Sequence, residues 1–228
     1  MWRQMNERRK LNAAFSHDLR TPLTVIEGHL GILQKYTPQG KIDVDDVMQI
    51  YAAMAGQIER LKNYASSMNA LQRLEDIPIV RKQLAANSFT ARLNDTAKMI
   101  CGSKTLTISD KTAVESIHVD PEIIMQVFEN LLSNAARYAK TSISIQYAVE
   151  KERFLITVTD DGEGFDDTAL KSATNPFYTT EKKSDTVQHL GLGLNICKIL
   201  CERHSGRIML SNDIKTGAFV TASFGMTE

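Results

Sequence analysis

The sequence lacks a net charge, because its 27 lysine and arginine side chains are balanced by 27 aspartate and glutamate side chains. A neutral chain has no overall charge that would attract it to nucleic acid or to an anionic membrane. It also lacks a run of the roughly 20 apolar residues that cross a bilayer. Its N-terminus, Met-Trp-Arg-Gln, has no apolar signal-peptide region. We therefore expect no nucleic-acid partner and no membrane segment in this chain.

Cysteine is scarce, and the three residues present do not have the spacing of a disulfide framework. An odd, low number of cysteines is typical of a reducing compartment. Cys197, Cys201 and His204 would share one face of a helix, which resembles half a metal site, although a closed zinc site needs a fourth ligand. Because free cysteine usually behaves as a small buried hydrophobe, we favour core packing for these three residues over metal binding.

Two amphipathic helices are predicted in the first third of the chain. The first carries apolar residues every three or four positions until the breaker at residues 37–40, and the second carries them in a heptad pattern. The two sets are Leu11, Phe15, Leu19, Leu23, Ile26, Leu30 and Leu33, and then Val44, Val47, Tyr51, Met54, Ile58, Leu61, Ala65 and Met68. Such a hairpin cannot bury both stripes alone. Pairing with a second copy would give a four-helix bundle, and the alternative is packing against the rest of the same chain.

The period changes after Asp76-Ile77-Pro78, which we take as the hinge between domains 1–76 and 77–228. Strands and helices then alternate, which predicts an α/β sandwich. The predicted strands are 106–108, 142–149, 154–159, 207–210 and 218–224, and the predicted helices are about 89–101, 121–139 and 192–204.

A histidine and a proline stand close together in the first helix. Pro22 has no N–H for the carbonyl of Asp18, so the helix is predicted to bend one turn after His17. The imidazole of His17 has a near-neutral pKa, so its neutral form can act as a nucleophile. Thr21, four residues later, shares its face. Taken alone, a histidine beside an aspartate on a helix is usually a solvated surface pair.

Five segments resemble, in order, the sequence boxes of bacterial sensor histidine kinases of the GHKL superfamily. His17–Leu23 matches every position of the H-box, His-Glu/Asp-Leu-Arg/Lys-Thr/Asn-Pro-Leu. Glu129–Tyr138 resembles the N-box, Asp160–Phe165 the G1 box, Pro176–Tyr178 the F-box and Leu190–Leu194 the G2 box. The last of these lacks both the Rossmann glycine spacing and the Gly-Lys-Ser/Thr of a P-loop.

The resemblance implies a role for individual residues. His17 would be the phosphoacceptor and Asp18 the general base, and Asp18 with Thr21 would support dephosphorylation of a partner. Asn134 would hold Mg²⁺, and Asp160 would accept a hydrogen bond from the amine of adenine. The implied nucleotide-binding set is Asn130, Asn134, Arg137, Tyr138, Asp160, Gly162, Gly164, Phe177, Lys182, Gly191, Leu192, Gly193 and Leu194.

We therefore expect a dimeric helical hairpin followed by a Bergerat-type α/β sandwich that binds ATP and Mg²⁺. The expected reaction is autophosphorylation of His17, then phosphotransfer to an aspartate of a response-regulator receiver domain, with phosphatase activity toward that regulator. The expected chain is a cytoplasmic piece of a longer protein that is anchored in the bacterial cell membrane.

Two other functions compete with this interpretation. One is an ATPase of the same superfamily, although such proteins lack a helix of the His-Asp-Leu-Arg-Thr-Pro-Leu type. The other is a dimerising scaffold or dedicated phosphatase with a degenerate ATP site. The segment Gln188-His189-Leu190 leaves room for the second, because many family members have Gly-Gly-Thr/Ser there. The intact Asn134, Asp160, Gly162 and Gly164 argue for nucleotide binding instead.

Overall fold

The structure is a computed structural model of the 228-residue chain. It describes residues 2–76, 78–179, 191–213 and 217–227, without the side chains of residues 2–18, 60, 63–64 and 66–76. The described chain divides into two compact units, the first ending at Gln72 and the second beginning at Arg73. The domain boundary predicted after residue 76 stays a prediction, because the last helix of the first unit crosses this division.

The first unit is a helical hairpin. Helix α1 (Trp2–Tyr36) leads through a 3₁₀ turn (Thr37–Gln39) into helix α2 (Val44–Asp76). The turn ends at Gly40, whose φ of 63° places it in the left-handed region that glycine tolerates best. Asp43 caps α2, because its Oδ1 accepts a hydrogen bond of 2.8 Å from the N–H of Asp46. Helix α1 continues through Pro22, and the bend predicted there stays a prediction.

The second unit alternates short strands with helices, as predicted. The predicted strands and helices are all present, and two short strands (Lys82–Ala85 and Ser116–Val119) and one short helix (Asp167–Ser172) are additional. Its elements are β1 (Lys82–Ala85), α3 (Ala86–Cys101), β2 (Thr105–Lys111), β3 (Ser116–Val119), α4 (Pro121–Tyr138), β4 (Ser142–Glu150), β5 (Arg153–Asp160), α5 (Asp167–Ser172), α6 (Gly193–Arg203), β6 (Arg207–Asn212) and β7 (Ala218–Gly225).

A five-stranded mixed sheet forms one layer of this unit. Its strand order is β2-β4-β5-β7-β6, in which β2 and β4 are parallel and the other neighbours are antiparallel. Strands β1 and β3 pair separately as a two-stranded antiparallel ribbon. A helical N-terminal region followed by an α/β sandwich with a mixed sheet is therefore confirmed as the fold class.

The core lies between the sheet and helices α3, α4 and α6. Alternate residues of β4 and β5 point into it, as the two-residue period of a strand requires. Tyr147 stacks on Phe154 with ring centroids 6.4 Å apart, and Phe128 of α4 meets Tyr147 at 6.2 Å. Asp120 starts α4 as its N-cap by accepting hydrogen bonds from the N–H groups of Glu122 and Ile123. These contacts fix α4 on the sheet.

The two cysteines and the histidine of α6 belong to this core. Cys197, Cys201 and His204 are each 0% exposed. Nε2 of His204 accepts a 2.9 Å hydrogen bond from the N–H of Asp120, so it is already in use. Among the described residues, no cluster of histidine, cysteine and carboxylate side chains has the arrangement of a metal site. In the same part of the chain, no helix combines the length and apolar character needed to cross a bilayer.

Candidate functional site

The predicted phosphoacceptor residues follow one another on helix α1. His17 and Asp18 lie in this helix, and their side chains fall outside the described residues. Thr21 is exposed, one turn further along the same helix. The predicted roles of all three residues therefore rest on the H-box, with Thr21 accessible to a partner.

Two asparagines of α4 face the first residue of α6. A Cβ atom on Gly193 would lie 3.2 Å from Oδ1 of Asn130 and 3.7 Å from Nδ2 of Asn134. The amide nitrogen of Asn130 already donates to the carbonyl of Gln126 at 2.8 Å, which directs its oxygen away from its own helix. Asn130, Asn134 and Gly193 are therefore brought together, and the absence of a side chain at Gly193 keeps the space in front of the two amides open.

Asp160 occupies the end of β5 and is only 6% exposed. Its Oδ1 accepts a 2.8 Å hydrogen bond from the N–H of Gly162. Burial raises the pKa of Asp160, and the hydrogen bonds from the backbone of Gly162 and Ala218 oppose this rise. Backbone donors on one side fix the orientation of this buried carboxylate. A hydrogen-bond acceptor with a fixed orientation can distinguish one nucleobase from another.

The turn after β5 lies against the C-terminus of α4. A Cβ atom on Gly162 would be 2.5 Å from the carbonyl oxygen of Tyr138, so only glycine allows this approach. Thr141 donates its N–H and its hydroxyl to Asp161, and these hydrogen bonds lower the pKa of Asp161. The turn that carries Asp160 and the helix that carries Asn134 are thereby held as one structure.

Tyr138 presents its ring to solvent at this junction. Its side chain is 46% exposed, and the guanidinium of Arg137 lies 5.8 Å from the centre of its ring. Lys104 donates to the carbonyls of Ala139 and Lys140 and so satisfies backbone acceptors that follow the helix. An exposed aromatic ring beside a cation can contact both a base and a phosphate.

The predicted F-box and the start of α6 are in contact. Phe177 has a φ of 64°, and Gly191 has the same value. A Cβ atom on Gly191 would overlap the carbonyl of Tyr178, so the two backbones touch. Leu192 is buried at the N-cap of α6, and Leu194, half-buried, is in its first turn. Among the described residues, no side chain caps this helix start.

Two asparagines that the sequence analysis did not select support these segments. The amide of Asn195 in α6 donates to the carbonyl of Thr174 at 2.9 Å, just before the F-box. The amide of Asn212, at the end of β6, binds the backbone of Phe165 in the G1 box. Neither belongs to a recognisable motif, and the only signal is the position of Asn195 directly after the glycine-rich helix start. Lys182, together with Gln188-His189-Leu190, lies outside the described residues.

The donor set of this region fits Mg²⁺ and ATP. Amide oxygens are hard ligands of the kind that Mg²⁺ takes. The side-chain amides of Asn130 and Asn134, one helical turn apart, both approach Gly193, the first through Oδ1 and the second through Nδ2. Uncapped N–H groups at a glycine-rich helix start attract phosphate. The buried carboxylate of Asp160 supplies an acceptor for an amine. The three features belong to α4, α6 and β5 of one unit.

Two family models match the chain. Residues 7–77 match the His Kinase A (phospho-acceptor) domain. Residues 119–228 match the family described as histidine kinase-, DNA gyrase B-, and HSP90-like ATPase. The two matches fall on the helical unit and on most of the α/β unit.

Curated relatives match nearly the whole chain. The sensor histidine kinase SpaK of Bacillus subtilis is 27% identical over 225 residues, which cover 96% of this chain and 48% of the relative. The sensor histidine kinase CpxA of Escherichia coli K12 is 26% identical over 215 residues, which cover 90% of this chain and 44% of the relative. The chain therefore spans about half the length of these relatives.

Solved structures share the fold. The histidine kinase ThkA, solved in complex with the response regulator protein TrrA, has a TM-score of 0.68 and 16% identity over 99% of this chain and 64% of that chain. The histidine kinase AdeS of Acinetobacter baumannii has a TM-score of 0.60 and 20% identity over 93% of this chain and 98% of that chain. With a phospho-acceptor domain and an ATPase domain matched in this order, and with sensor kinases as relatives along almost its full length, the chain belongs to the sensor histidine kinase family.

Proposed function

We propose that this chain uses Mg-ATP to phosphorylate His17 and passes the phosphoryl group to an aspartate of a response-regulator receiver domain. The observation that carries the proposal is the meeting of Asn130 and Asn134 with the start of α6 at Gly193, in the same unit as the buried Asp160. This arrangement supplies the side-chain amides, the helix start and the carboxylate that would bind ATP and Mg²⁺. The H-box of α1 supplies the acceptor.

In the proposed site, each part of the nucleotide has its own partner. Asp160 accepts a hydrogen bond from the amine of adenine. Guanine has a carbonyl at that position and cannot donate this bond. Tyr138 lies along the nucleotide and Arg137 near its phosphates. The amide oxygen of Asn134 holds Mg²⁺, whose charge offsets that of the phosphates. The N–H groups at Gly191, Leu192, Gly193 and Leu194 face the phosphate chain.

The proposed chemical step is an in-line displacement. The lone pair of a ring nitrogen of His17 forms a bond to the γ-phosphorus, and the bond from that phosphorus to the bridging oxygen breaks, so that ADP leaves. Asp18 accepts the proton from the other ring nitrogen. Positioning and charge stabilisation account for most of the catalysis in such a step.

Association with a second copy and with a response regulator completes the proposal. Described apolar side chains of α2 are exposed in a single chain, which supports pairing of two hairpins into a four-helix bundle. ThkA, similar in fold, was solved with a response regulator. The exposed hydroxyl of Thr21 and the carboxylate of Asp18 would orient water for hydrolysis of the regulator's phosphoaspartate, which gives the chain a phosphatase activity.

The test is incubation of the 228-residue chain with ATP labelled in the γ-phosphate. We expect an acid-labile, base-stable label on the wild type, loss of more than about 99% of it in His17→Gln, and full label in His29→Gln, which removes a histidine further along the same helix. Label that persists in His17→Gln would disprove this acceptor. A wild type that binds no ADP at millimolar concentration would instead favour the scaffold.

A further inference from the structure

The exposed side chain of Asn212 makes two hydrogen bonds to one residue of the G1 box. Its Oδ1 accepts from the N–H of Phe165 at 2.7 Å, and its Nδ2 donates to the carbonyl of the same residue at 2.7 Å. The two residues are 47 positions apart in the sequence. A planar carboxamide that satisfies both backbone groups of one residue replaces the pairing that a neighbouring strand would give.

The backbone around these bonds is closely fitted to Asn212. Gly164 has a φ of 76°, and a Cβ atom on it would lie 2.7 Å from Oδ1 of Asn212. The conformation at 164 therefore favours glycine, and a side chain there could be accommodated only if the amide of Asn212 moved away.

The connection between β6 and β7, which pair as an antiparallel β-hairpin, also touches the rest of the G1 box. A Cβ atom on Gly217 would lie 2.7 Å from the nitrogen of Gly162 and 2.8 Å from the carbonyl oxygen of Asp160. Gly217 in turn accepts a 2.9 Å hydrogen bond from the N–H of Asp213, directly after Asn212. The G1 turn thus lies between Gly217, just before β7, and the carbonyl of Tyr138 at the end of α4.

We propose that Asn212 is a positioning residue of the nucleotide site, which holds the G1 turn in the shape in which Asp160 receives adenine. This inference rests on the proposed binding of ATP. The carboxamide does not touch the base; it fixes Phe165 and Gly164, and with them the turn from which Gly162 donates to the carboxylate of Asp160. Without it, the turn keeps the glycine contacts on its other side and the hydrogen bonds from Thr141 to Asp161, and the segment of Gly164 and Phe165 loses its side-chain support.

The test uses direct binding of ADP and of GDP, each with Mg²⁺, to the 228-residue chain. For Asn212→Ala we expect the dissociation constant for ADP to rise about tenfold, because two hydrogen bonds that hold the turn are lost. The ratio of GDP to ADP dissociation constants should fall, because Asp160 loses its fixed direction. Asn212→Asp keeps the shape and the acceptor but sets a carboxylate oxygen against the carbonyl of Phe165, so it should weaken ADP binding at least as much as Asn212→Ala.

Ser211→Ala is the matched control, because Ser211 is the exposed neighbour on the opposite face of β6. It should leave both dissociation constants unchanged. If Asn212→Ala and Asn212→Asp bind ADP and discriminate against GDP as the wild type does, the inference is wrong even if they melt at a lower temperature. If Asn212→Ala does not fold, the isosteric Asn212→Asp decides. If the wild type itself binds no ADP, the proposed function is contradicted. The variants test only the role of Asn212, so the two failures can be told apart.

Discussion

The helical hairpin and the α/β unit differ in where they keep their apolar side chains. In the α/β unit, large residues such as Phe128, Tyr147 and Phe154 are 0% exposed. In the hairpin, heptad residues Val44 and Tyr51 of α2 are 76% and 55% exposed. One unit therefore obtains its stability from packing within the chain. The other leaves much of its apolar surface for association, and long helices in water derive most of their stability from such packing.

This difference corresponds to the division of the proposed chemistry. A nucleotide site needs several groups held in fixed directions, and the α/β unit provides them on α4, α6 and β5 around one core. A phosphoacceptor has to be reached by two different partners, and a helix that depends on association can present it on an open surface.

A carboxylate in the exposed apolar stripe of α2 should affect the hairpin and leave the α/β unit unchanged. Tyr51→Asp should raise the dimer dissociation constant at least about a hundredfold, because an unpaired charge in an apolar seam costs several kcal/mol. The melting of the α/β unit should not change. Sedimentation velocity over a range of concentrations measures the first, and calorimetry the second.

Gln49→Asp is the control for this substitution. Gln49 is also exposed on α2, five residues after Val44 and therefore on the outer side of the heptad. It should leave the dissociation constant within about twofold of the wild type, as surface substitutions usually do. Equal association of the Tyr51→Asp protein and the wild type would mean that the hairpin packs on the rest of its own chain.

Glycine substitutions should have opposite effects in the two units. A Cβ atom on Gly206 would overlap the carbonyl oxygen of Ser223 and lie 3.0 Å from the nitrogen of Phe224, so Gly206→Ala has to displace backbone. We expect a loss of about 2–4 kcal/mol in the free energy of unfolding. Gly56, in the middle of α2, has nothing within 4 Å of the same atom. Gly56→Ala should raise helix stability by about 0.5–1 kcal/mol.

Urea denaturation followed by circular dichroism measures both variants. The contrast fails if Gly206→Ala is as stable as the wild type, because the backbone of β7 could then move away from the added methyl group without loss of stability. It also fails if Gly56→Ala is destabilised by more than about 1 kcal/mol, because a packed neighbour would then have to face that position.

Much of this contrast could be predicted from the sequence. The heptad of α2 and the alternation of Phe154, Ile156 and Val158 in β5 are periodic, and such local patterns identify both the element and its buried face. Strand β1 has no such pattern, and the alternation of Ser-Ile-His-Val in β3 extends over only four residues. The pairing of these two strands joins segments that are distant in the sequence.

Some residues of the candidate site could likewise be predicted from the sequence, and others could not. Asn134, Asp160 and Gly193 belong to motifs in which spacing carries the chemistry, so they could be selected as candidates. Asn212 could not, because an asparagine at the end of a strand is an ordinary turn residue, and its partner Phe165 is 47 positions away. For His204, the helical spacing with two cysteines indicated a shared face. Only the fold revealed that its ring accepts from the N–H of Asp120.

The smallest expected effect concerns the protonation of that buried histidine. Burial lowers the pKa of His204 below its ordinary value of 6.5, the nearby charge of Arg81 acts in the same direction, and that of Asp120 opposes it. Because Nε2 accepts a hydrogen bond, protonation would also remove the bond to the N–H of Asp120. The unfolded chain thus binds the proton more readily than the folded one. The stability contributed by neutral His204 is fully present above pH 6.5 and is lost as the pH falls through the folded-state pKa.

The free energy of unfolding should therefore decrease from pH 7 to pH 5, and this decrease should be smaller in His204→Gln, which cannot take up a proton. Urea titrations of the wild type and of His204→Gln at both pH values give the two slopes. An unchanged slope in His204→Gln would mean that other groups carry the acid sensitivity of the α/β unit. The expected result would place part of this sensitivity in the core that closes around α6.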